Sequence, residues 1–152
     1  MCIRDSIYGP AYKGIFLASI IGASLGKSNL DIPVSFNRKE EKNHGEGGDL
    51  LGQPPSGNVL IIDDVISAGT AARESIEKIK SIGANPKIML VGLDRQEKGV
   101  SNMSAKDELE NDFELTVSSI VDLDLLISFV SDEPNFKEFK SDLEEYRNNW
   151  GA

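Results

Sequence analysis

The chain has 152 residues, a net charge of −9 and one cysteine, Cys2. Its length fits a single domain with a buried core, and 39% hydrophobic and 27% charged residues are ordinary for a globular protein. The negative charge argues against nucleic-acid binding, which needs an excess of Lys and Arg, and the single cysteine excludes an internal disulfide or a cysteine-based zinc site.

No stretch of the chain has the length and composition of a membrane span. The longest uncharged apolar run, Ile15 to Leu25, is shorter than the ~20 residues that a spanning helix needs. We therefore expect no membrane partner and a cytoplasmic location.

The first six residues, MCIRDS, lack the apolar pattern of a helix or a strand. Their codons can spell a transposon adapter that is used in sequencing libraries. We therefore hypothesise that residues 1–6 are a leader foreign to the gene and that residues 7–152 form the domain. A genuine N-terminal arm is the alternative.

Helices and strands alternate through the rest of the chain. The patterns predict helices, the first of them buried, over Gly14–Lys27, Thr70–Ile82, Ser104–Asp112, Leu123–Val130 and Asn135–Trp150. They predict strands over Ile32–Asn37, Asn58–Ile62, Lys87–Leu93 and Glu114–Val121. Such alternation predicts one α/β domain on a mostly parallel sheet with right-handed crossovers.

A hydrophilic segment, Phe36 to Gly52, interrupts the alternation. Its sequence FNRKEEKNHGEGGDLLG combines cations, carboxylates, the single histidine and several glycines with few apolar residues. Such a composition cannot form a core, so the segment is either a disordered connector or a mobile loop, over about 38–52, that closes on a ligand. Composition alone favours the connector.

The sharpest functional signal is VLIIDDVISAGTA, Val59 to Ala71. An apolar strand leads into Asp63 and Asp64, and a turn of small residues then begins a helix. Amides of a glycine-containing turn at a helix N-terminus bind phosphate, and two carboxylates can accept hydrogen bonds from ribose hydroxyls or from waters on Mg²⁺. We therefore predict a sugar-phosphate site at the carboxyl end of this strand. A plain loop with a capping Thr70 is the alternative.

Val59 to Ala71 resembles the phosphoribosyl-pyrophosphate (PRPP) signature of the type I phosphoribosyltransferases. Tyr8–Ala18 (YGPAYKGIFLA), Phe36–Gly52 and Leu93–Gly99 (LDRQEKG) narrow the resemblance. Together and in this order, the segments are similar to bacterial orotate phosphoribosyltransferase. The resemblance begins at about Ile7 and continues to the C-terminus. It implies the type I phosphoribosyltransferase fold. It also implies the reaction of orotate with PRPP to give orotidine 5′-monophosphate and pyrophosphate, a late step of pyrimidine synthesis.

The resemblance also implies a set of binding residues. PRPP would contact Tyr12 and Lys13 of a pyrophosphate loop, and Asp63, Asp64, Val65, Ile66, Ser67, Ala68, Gly69, Thr70 and Ala71 of the signature. Orotate would contact Ser67 and Arg95, whose planar guanidinium suits a carboxylate. The alternatives are a solvated cation for Lys13 and a surface salt bridge for Arg95. The implied cofactor, Mg²⁺, would be held mainly by PRPP and indirectly by Asp63 and Asp64.

Arg38, Lys39, Lys42 and His44 resemble the catalytic residues of the family and would also contact PRPP. Cations that arrive only when a loop closes stabilise the departing pyrophosphate most in the transition state. Glycines at 45, 47 and 48 would allow the hinge. His44 could protonate pyrophosphate or only donate a hydrogen bond. In this family the loop acts in the neighbouring subunit's site, which implies a homodimer.

One part of the family pattern has no match in this sequence. Family members carry a further N-terminal segment that covers the base, and MCIRDSI stands where a strand should precede Gly9. The resemblance thus implies an incomplete base site, and we expect the 152-residue chain to bind PRPP weakly without turning over orotate.

Two other functions stay open at this point. A phosphoribosyltransferase for another base would have little reason to carry LDRQE. A non-catalytic PRPP-binding regulator would not need cations on a glycine-hinged loop.

Overall fold

The computed structural model describes residues 5–42 and 48–152, with the backbone alone at 39–42, 48 and 49. The strands are β1 (Ser6–Gly9), β2 (Val34–Lys42), β3 (Gly48–Gly52), β4 (Asn58–Ile66), β5 (Asn85–Asp94) and β6 (Thr116–Asp122). The helices are α1 (Lys13–Lys27), α2 (Thr70–Ser81), α3 (Ala105–Phe113), α4 (Leu123–Asp132) and α5 (Lys140–Trp150), with a 3₁₀ helix (Pro134–Phe139) before α5.

The described strands form one sheet in the order β3-β2-β1-β4-β5-β6. All neighbouring pairs are parallel except β2 and β3, which are antiparallel. The predicted α/β fold on a mostly parallel sheet is therefore confirmed. β1 lies between β2 and β4 in the sheet, so the chain leaves β1 toward β2 on one side, whereas β4 lies on the other side. At such a reversal of strand order, a ligand-binding crevice is expected between the carboxyl ends of β1 and β4.

The core lies on both faces of the sheet, since successive residues of a strand point to opposite sides. Ile61 packs in a cluster with Ile76 of α2 and Leu109 of α3, whereas Leu60 packs with Ala18 of α1. None of the described helices is long and apolar enough to span a membrane.

The prediction that the first helix is buried is wrong. Only Gly14 and Ala18 of α1 are buried, while Phe16 and Ile20 are 68% and 63% exposed. One side of the helix meets the sheet and the other carries apolar residues that composition alone would place inside.

A strand does precede Gly9, contrary to the prediction. β1 pairs with β2 and β4, Ile7 and Tyr8 are 0% exposed, and the Ser6 hydroxyl donates to the Ser56 carbonyl at 3.0 Å. A strand of four residues is too short to show a periodic pattern. The origin of residues 1–6 stays a hypothesis, and residues 1–4 lie outside the described part of the chain.

Much of the segment predicted as a loop over about 38–52 is a two-stranded ribbon. β2 continues to Lys42 and β3 begins at Gly48, with a register shift between Asn37 and Lys42. At a sheet edge the backbone can pair while polar side chains stay in water, so composition did not reveal the strands. Residues 43–47, which include His44 and two of the predicted hinge glycines, lie outside the described residues.

The other predicted elements are confirmed with shifted ends. The helix predicted over Asn135–Trp150 is divided into the 3₁₀ helix and α5. β4 extends beyond the predicted end at Ile62 to Ile66, which changes the setting of Asp63 and Asp64.

Candidate active site

The turn between β4 and α2 has the geometry of an anion-binding site. Gly69 precedes α2 with a φ of 82°, and a Cβ there would lie 3.3 Å from the Ala105 Cβ. No side chain caps α2 and its first turn has no acidic residue. Thr70 begins the helix, so it is not the capping threonine of the alternative interpretation. The first amides of α2 are left for a ligand, and the helix dipole favours an anion.

A cavity of about 230 Å³ lies against this turn. It is lined by Asp63, Val65, Ile66, Ser67, Gly69, Thr70, Ala71, Ala72 and Met89. Most residues of the predicted signature thus share one cavity, which combines a carboxylate, two hydroxyls and the start of α2.

Asp63 and Asp64 lie inside β4 and do not follow it as predicted. Asp63 pairs with Val91 of β5, and Val65 pairs with Leu93. A Cβ on Gly92 would lie 2.8 Å from the Asp64 carbonyl oxygen, so glycine allows β5 to run close to the carboxylate pair. Carboxylates are uncommon in strands, so the prediction from apolar residues placed the end of β4 too early.

The two carboxylates have different environments. Burial of the Asp63 carboxyl raises its pKa to about 6; the Asp64 amide, which donates to Asp63 Oδ1 at 2.9 Å, opposes this rise and the Asp64 charge adds to it. Asp64 Oδ2 lies 2.6 Å from Lys13 Nζ. Asp64 is thus held in an ion pair, while Asp63 faces the cavity and takes up a proton near pH 6.

Lys13 reaches Asp64 from the predicted pyrophosphate loop, Ala11 to Gly14. In this loop, the Ala11 amide donates to Asn37 Oδ1 at 2.7 Å, and the peptide bond between Ala11 and Tyr12 is cis. Tyr12 is 61% exposed. The structure therefore brings the loop beside the carboxylate pair, as expected for the pyrophosphate and ribose ends of one ligand.

Arg95 directly follows β5. It lies beside the turn between β4 and α2, because its amide donates to the Ile66 carbonyl at 3.1 Å. Its Nη1 lies 3.4 Å from the Tyr146 hydroxyl and 3.5 Å from Glu97 Oε1. The hydrogen bond to Tyr146 raises the pKa of Arg95. The Tyr146 hydroxyl also donates to Glu97. Arg95 thus forms a salt bridge with Glu97, as the alternative interpretation expected, and it also contacts Tyr146.

The predicted catalytic residues are described only in part. Arg38 is half-buried on β2, and Lys39 and Lys42 belong to the same strand with their side chains outside the description. His44 lies outside the described residues. Their roles stay predictions.

Sequence reasoning missed Tyr146 and Asn37. Nothing in the sequence around Tyr146 connects α5 with the end of β5, since the two residues of the contact are 51 positions apart. Asn37 stands inside the hydrophilic segment, where a polar residue directly after a predicted strand was a usable signal.

The described residues contain no group of three or more His, Cys, Asp or Glu side chains that could hold a metal ion. Asp63 and Asp64 alone would complete only part of a Mg²⁺ coordination shell. The donor set therefore fits an ion that arrives with the oxygens of a phosphorylated ligand.

A mostly parallel sheet flanked by helices, in which β4 carries two carboxylates and leads into a glycine turn before α2, defines the class of the type I phosphoribosyltransferases. Comparison with solved structures agrees. The orotate phosphoribosyltransferase of Francisella tularensis superposes with a TM-score of 0.74 at 34% identity, over 97% of this chain and 71% of that one.

Curated relatives narrow the class. Over 149 residues the chain is 46% identical to the orotate phosphoribosyltransferase of Hahella chejuensis, covering 97% of this chain and 69% of the relative. Over 148 residues it is 47% identical to that of Laribacter hongkongensis, covering 97% and 70%. No protein-family model matches the chain. The chain belongs to the orotate phosphoribosyltransferase family.

Proposed function

We propose that this site transfers the 5-phosphoribosyl group of PRPP to orotate in pyrimidine biosynthesis, giving orotidine 5′-monophosphate and pyrophosphate. The bond from ribose C1 to the pyrophosphate oxygen breaks and pyrophosphate keeps the electron pair. A ring nitrogen of orotate bonds to C1 and releases its proton. The observation that carries the proposal is the cavity in which Asp63 faces the uncapped turn before α2.

The ends of PRPP match different parts of the site. The 5-phosphate binds amides at Gly69 to Ala71 and the hydroxyls of Ser67 and Thr70. Asp63 and Asp64 accept hydrogen bonds from the ribose hydroxyls. The pyrophosphate then extends toward Lys13, which the structure holds 2.6 Å from Asp64.

The base lies on the side of the site where β5 ends. Arg95 binds the orotate carboxylate, and a planar guanidinium does so with two parallel hydrogen bonds. Ser67 contacts orotate from the phosphate turn. The link from the Arg95 amide to the Ile66 carbonyl supports this placement, because it fixes the two segments side by side at 3.1 Å.

Mg²⁺ fits the proposal as a partner of PRPP. Its oxygens would come mainly from the ligand, with Asp63 and Asp64 as outer partners. When bound, the ion offsets negative charge on the pyrophosphate.

The ribbon of β2 and β3 carries the proposed catalytic cations Arg38, Lys39 and Lys42, and His44 is the fourth proposed catalytic residue. In our proposal they serve the site of a second subunit in a homodimer. The exposed apolar side of α1, with Phe16 and Ile20, supports association because such side chains are costly in water. The proposed location is the cytoplasm.

The proposal is tested first by binding. Titration calorimetry of the chain with PRPP and Mg²⁺ should show binding that the double substitution Asp63→Asn and Asp64→Asn abolishes. Asp31→Asn is the matched control, because Asp31 is exposed and remote from the cavity. Equal PRPP affinity in the double variant would refute the site.

Turnover is tested in the longest open reading frame that contains this chain. Pyrophosphate-dependent loss of orotidine 5′-monophosphate is the expected result. Loss of a different nucleotide instead would indicate a phosphoribosyltransferase for another base. PRPP binding without any turnover would indicate a regulator.

A further inference from the structure

The side chain of Asn37 joins two segments that the proposed reaction uses together. Its Oδ1 accepts a hydrogen bond of 2.7 Å from the Ala11 amide in the pyrophosphate loop. Its backbone pairs with Leu50 of β3 at the base of the ribbon. One half-buried residue thus contacts the loop that meets the pyrophosphate and the ribbon that carries the cations.

The contact replaces a hydrogen bond of the sheet. The Ile7 amide donates to the Pro33 carbonyl, and the same offset of 26 positions pairs the Ala11 amide with residue 37. Regular pairing of β1 with β2, however, ends at Gly9 and Phe36. Beyond that point, the Ala11 amide donates to the Asn37 side chain, where regular pairing would use the Asn37 carbonyl.

Regular pairing of β1 with β2 ends next to Pro10, whose ring restricts φ at this point of the backbone. An unsatisfied Ala11 amide in a partly buried position would cost free energy. The carboxamide of Asn37 removes that cost and fixes the loop at one place.

We propose that Asn37 is a positioning residue that sets the pyrophosphate loop for its ligand and couples the loop to the ribbon. The inference rests on the proposed function, since it takes the loop from Ala11 to Gly14 as the place of the pyrophosphate. Asn37 acts through Ala11 and Lys13 and does not itself touch the reacting atoms.

The proposal separates the two ends of PRPP. Asn37→Ala releases the loop but leaves the turn before α2 in place, because that turn depends on Gly69 and α2. Affinity for inorganic pyrophosphate should fall about three- to tenfold, the range for loss of one hydrogen bond. Affinity for ribose 5-phosphate should stay unchanged. Titration calorimetry measures both.

A second readout needs no ligand. Amide exchange of Ala11, followed by NMR, should be several-fold faster in Asn37→Ala than in the unsubstituted chain. Asn37→Asp keeps an acceptor oxygen in the same shape, so slow exchange should return. Its added negative charge should weaken pyrophosphate binding nonetheless. Rescue of exchange without rescue of binding is not expected from a residue that only stabilises the fold.

The matched control is Asn85→Ala. Asn85 Nδ2 donates to Asn58 Oδ1 at 2.9 Å at the amino ends of β4 and β5, far from the loop. It should alter neither ligand affinity. If Asn37→Ala does not fold, Asn37→Ser, with its shorter side chain, gives the same comparison.

The possible results separate the two proposals. Equal loss of both ligands in Asn37→Ala, or unchanged pyrophosphate affinity, overturns the positioning role while leaving the proposed function intact. Failure of the unsubstituted chain to bind either ligand overturns the proposed function and this inference with it.

Discussion

Lys13 Nζ and Asp64 Oδ2 lie 2.6 Å apart and join the pyrophosphate loop to β4. The Lys13 side chain is 72% exposed. Water therefore screens the pair, and its contribution to folding should be below about 1 kcal/mol. Under the proposed function the pair matters for binding, because a pyrophosphate at Lys13 would compete with Asp64 for the same ammonium group.

Lys13→Ala should therefore change function more than stability. The midpoint of thermal unfolding should move by less than about 4 °C. Measured in the longest open reading frame that contains this chain, the KM for PRPP should rise about tenfold or more, the scale for a lost hydrogen bond to a charged group. Lys140→Ala is the control, because it removes the surface pair with Glu144 at 3.7 Å. An unchanged KM for PRPP in Lys13→Ala would mean that the cation does not meet the ligand.

Asp63→Asn should stabilise the ligand-free chain at alkaline pH. Burial raises the pKa of Asp63 from 3.8 to about 6, so the folded chain holds this proton more tightly than the unfolded chain. Stability should then fall as the pH rises from about 4 to about 6 and stay lowered above that range. Removing the ionisable group should stabilise the chain by about 1–2 kcal/mol at pH 8 and hardly at all at pH 4.

Urea unfolding at the two pH values measures this effect. Asp31→Asn makes the same chemical change at an exposed position and should give no gain at pH 8. A variant at Asp63 that matches the unsubstituted chain at both pH values would show that burial of this carboxyl has no energetic cost. Gain of stability with loss of PRPP affinity would mark Asp63 as a residue kept for binding.

The central part of the fold was readable because its signals are local. β4 and β5 are long apolar runs, and the signature from Val59 to Ala71 places carboxylates, turn and helix start in one continuous stretch. Their geometry depends on neighbours in sequence, so the stretch itself predicted a carboxylate, a small-residue turn and a helix start at one place, whereas Met89 in the cavity was not predicted.

Several missed features depend on distant partners. β1 is a strand because β2 and β4 lie on either side of it, and the edge ribbon exists because β3 returns along β2. Arg95 meets Tyr146 across 51 positions and Ala11 meets Asn37 across 26. No local pattern encodes such contacts, which form only when the sheet has assembled.

Two glycines allow the effect of backbone conformation on stability to be separated from the effect on ligand binding. Gly69 and Gly83 both have a φ of 82°. An alanine at either position should cost about 1 kcal/mol, because a Cβ is disfavoured in the left-handed region. The Cβ at Gly69 would press against Ala105 at 3.3 Å, while nothing lies within 4 Å at Gly83. Gly69→Ala should therefore weaken PRPP binding about tenfold, and Gly83→Ala should not.

Urea unfolding and titration calorimetry give the two quantities. Similar losses of stability with unequal PRPP affinities are the expected outcome. If Gly83→Ala weakened PRPP binding as much as Gly69→Ala, the effect would come from general destabilisation and the phosphate turn would lose its support.

Lys42→Ala tests the proposed role of the ribbon. The variant should lower kcat by about a hundred- to a thousandfold, as for loss of one donor to developing charge, and change substrate affinity less. Lys87→Ala on β5 is the control and should leave kcat unchanged. Mixing the Lys42 variant with subunits that carry Asp63→Asn and Asp64→Asn should restore part of the activity if the ribbon acts in the neighbouring site. Absence of recovery in mixed dimers would assign the ribbon to its own subunit.

Substitutions at Arg95 and Tyr146 test how the site would bind the base. Arg95→Lys keeps the charge but loses the planar pair of donors, so the KM for orotate should rise by at least about tenfold while the KM for PRPP changes little.

Tyr146→Phe removes the hydroxyl that lies 3.4 Å from Arg95 Nη1. It should raise the KM for orotate about three- to tenfold, because Arg95 is then oriented by Glu97 alone. Arg147→Lys, on the same helix but paired with Asp124, serves as control. Steady-state kinetics with each substrate varied in turn provides the measurement. A rise in the KM for PRPP alone would place Arg95 on the phosphate side of the site, and an unchanged KM for orotate in Tyr146→Phe would show that α5 only packs against the strand end without orienting the guanidinium.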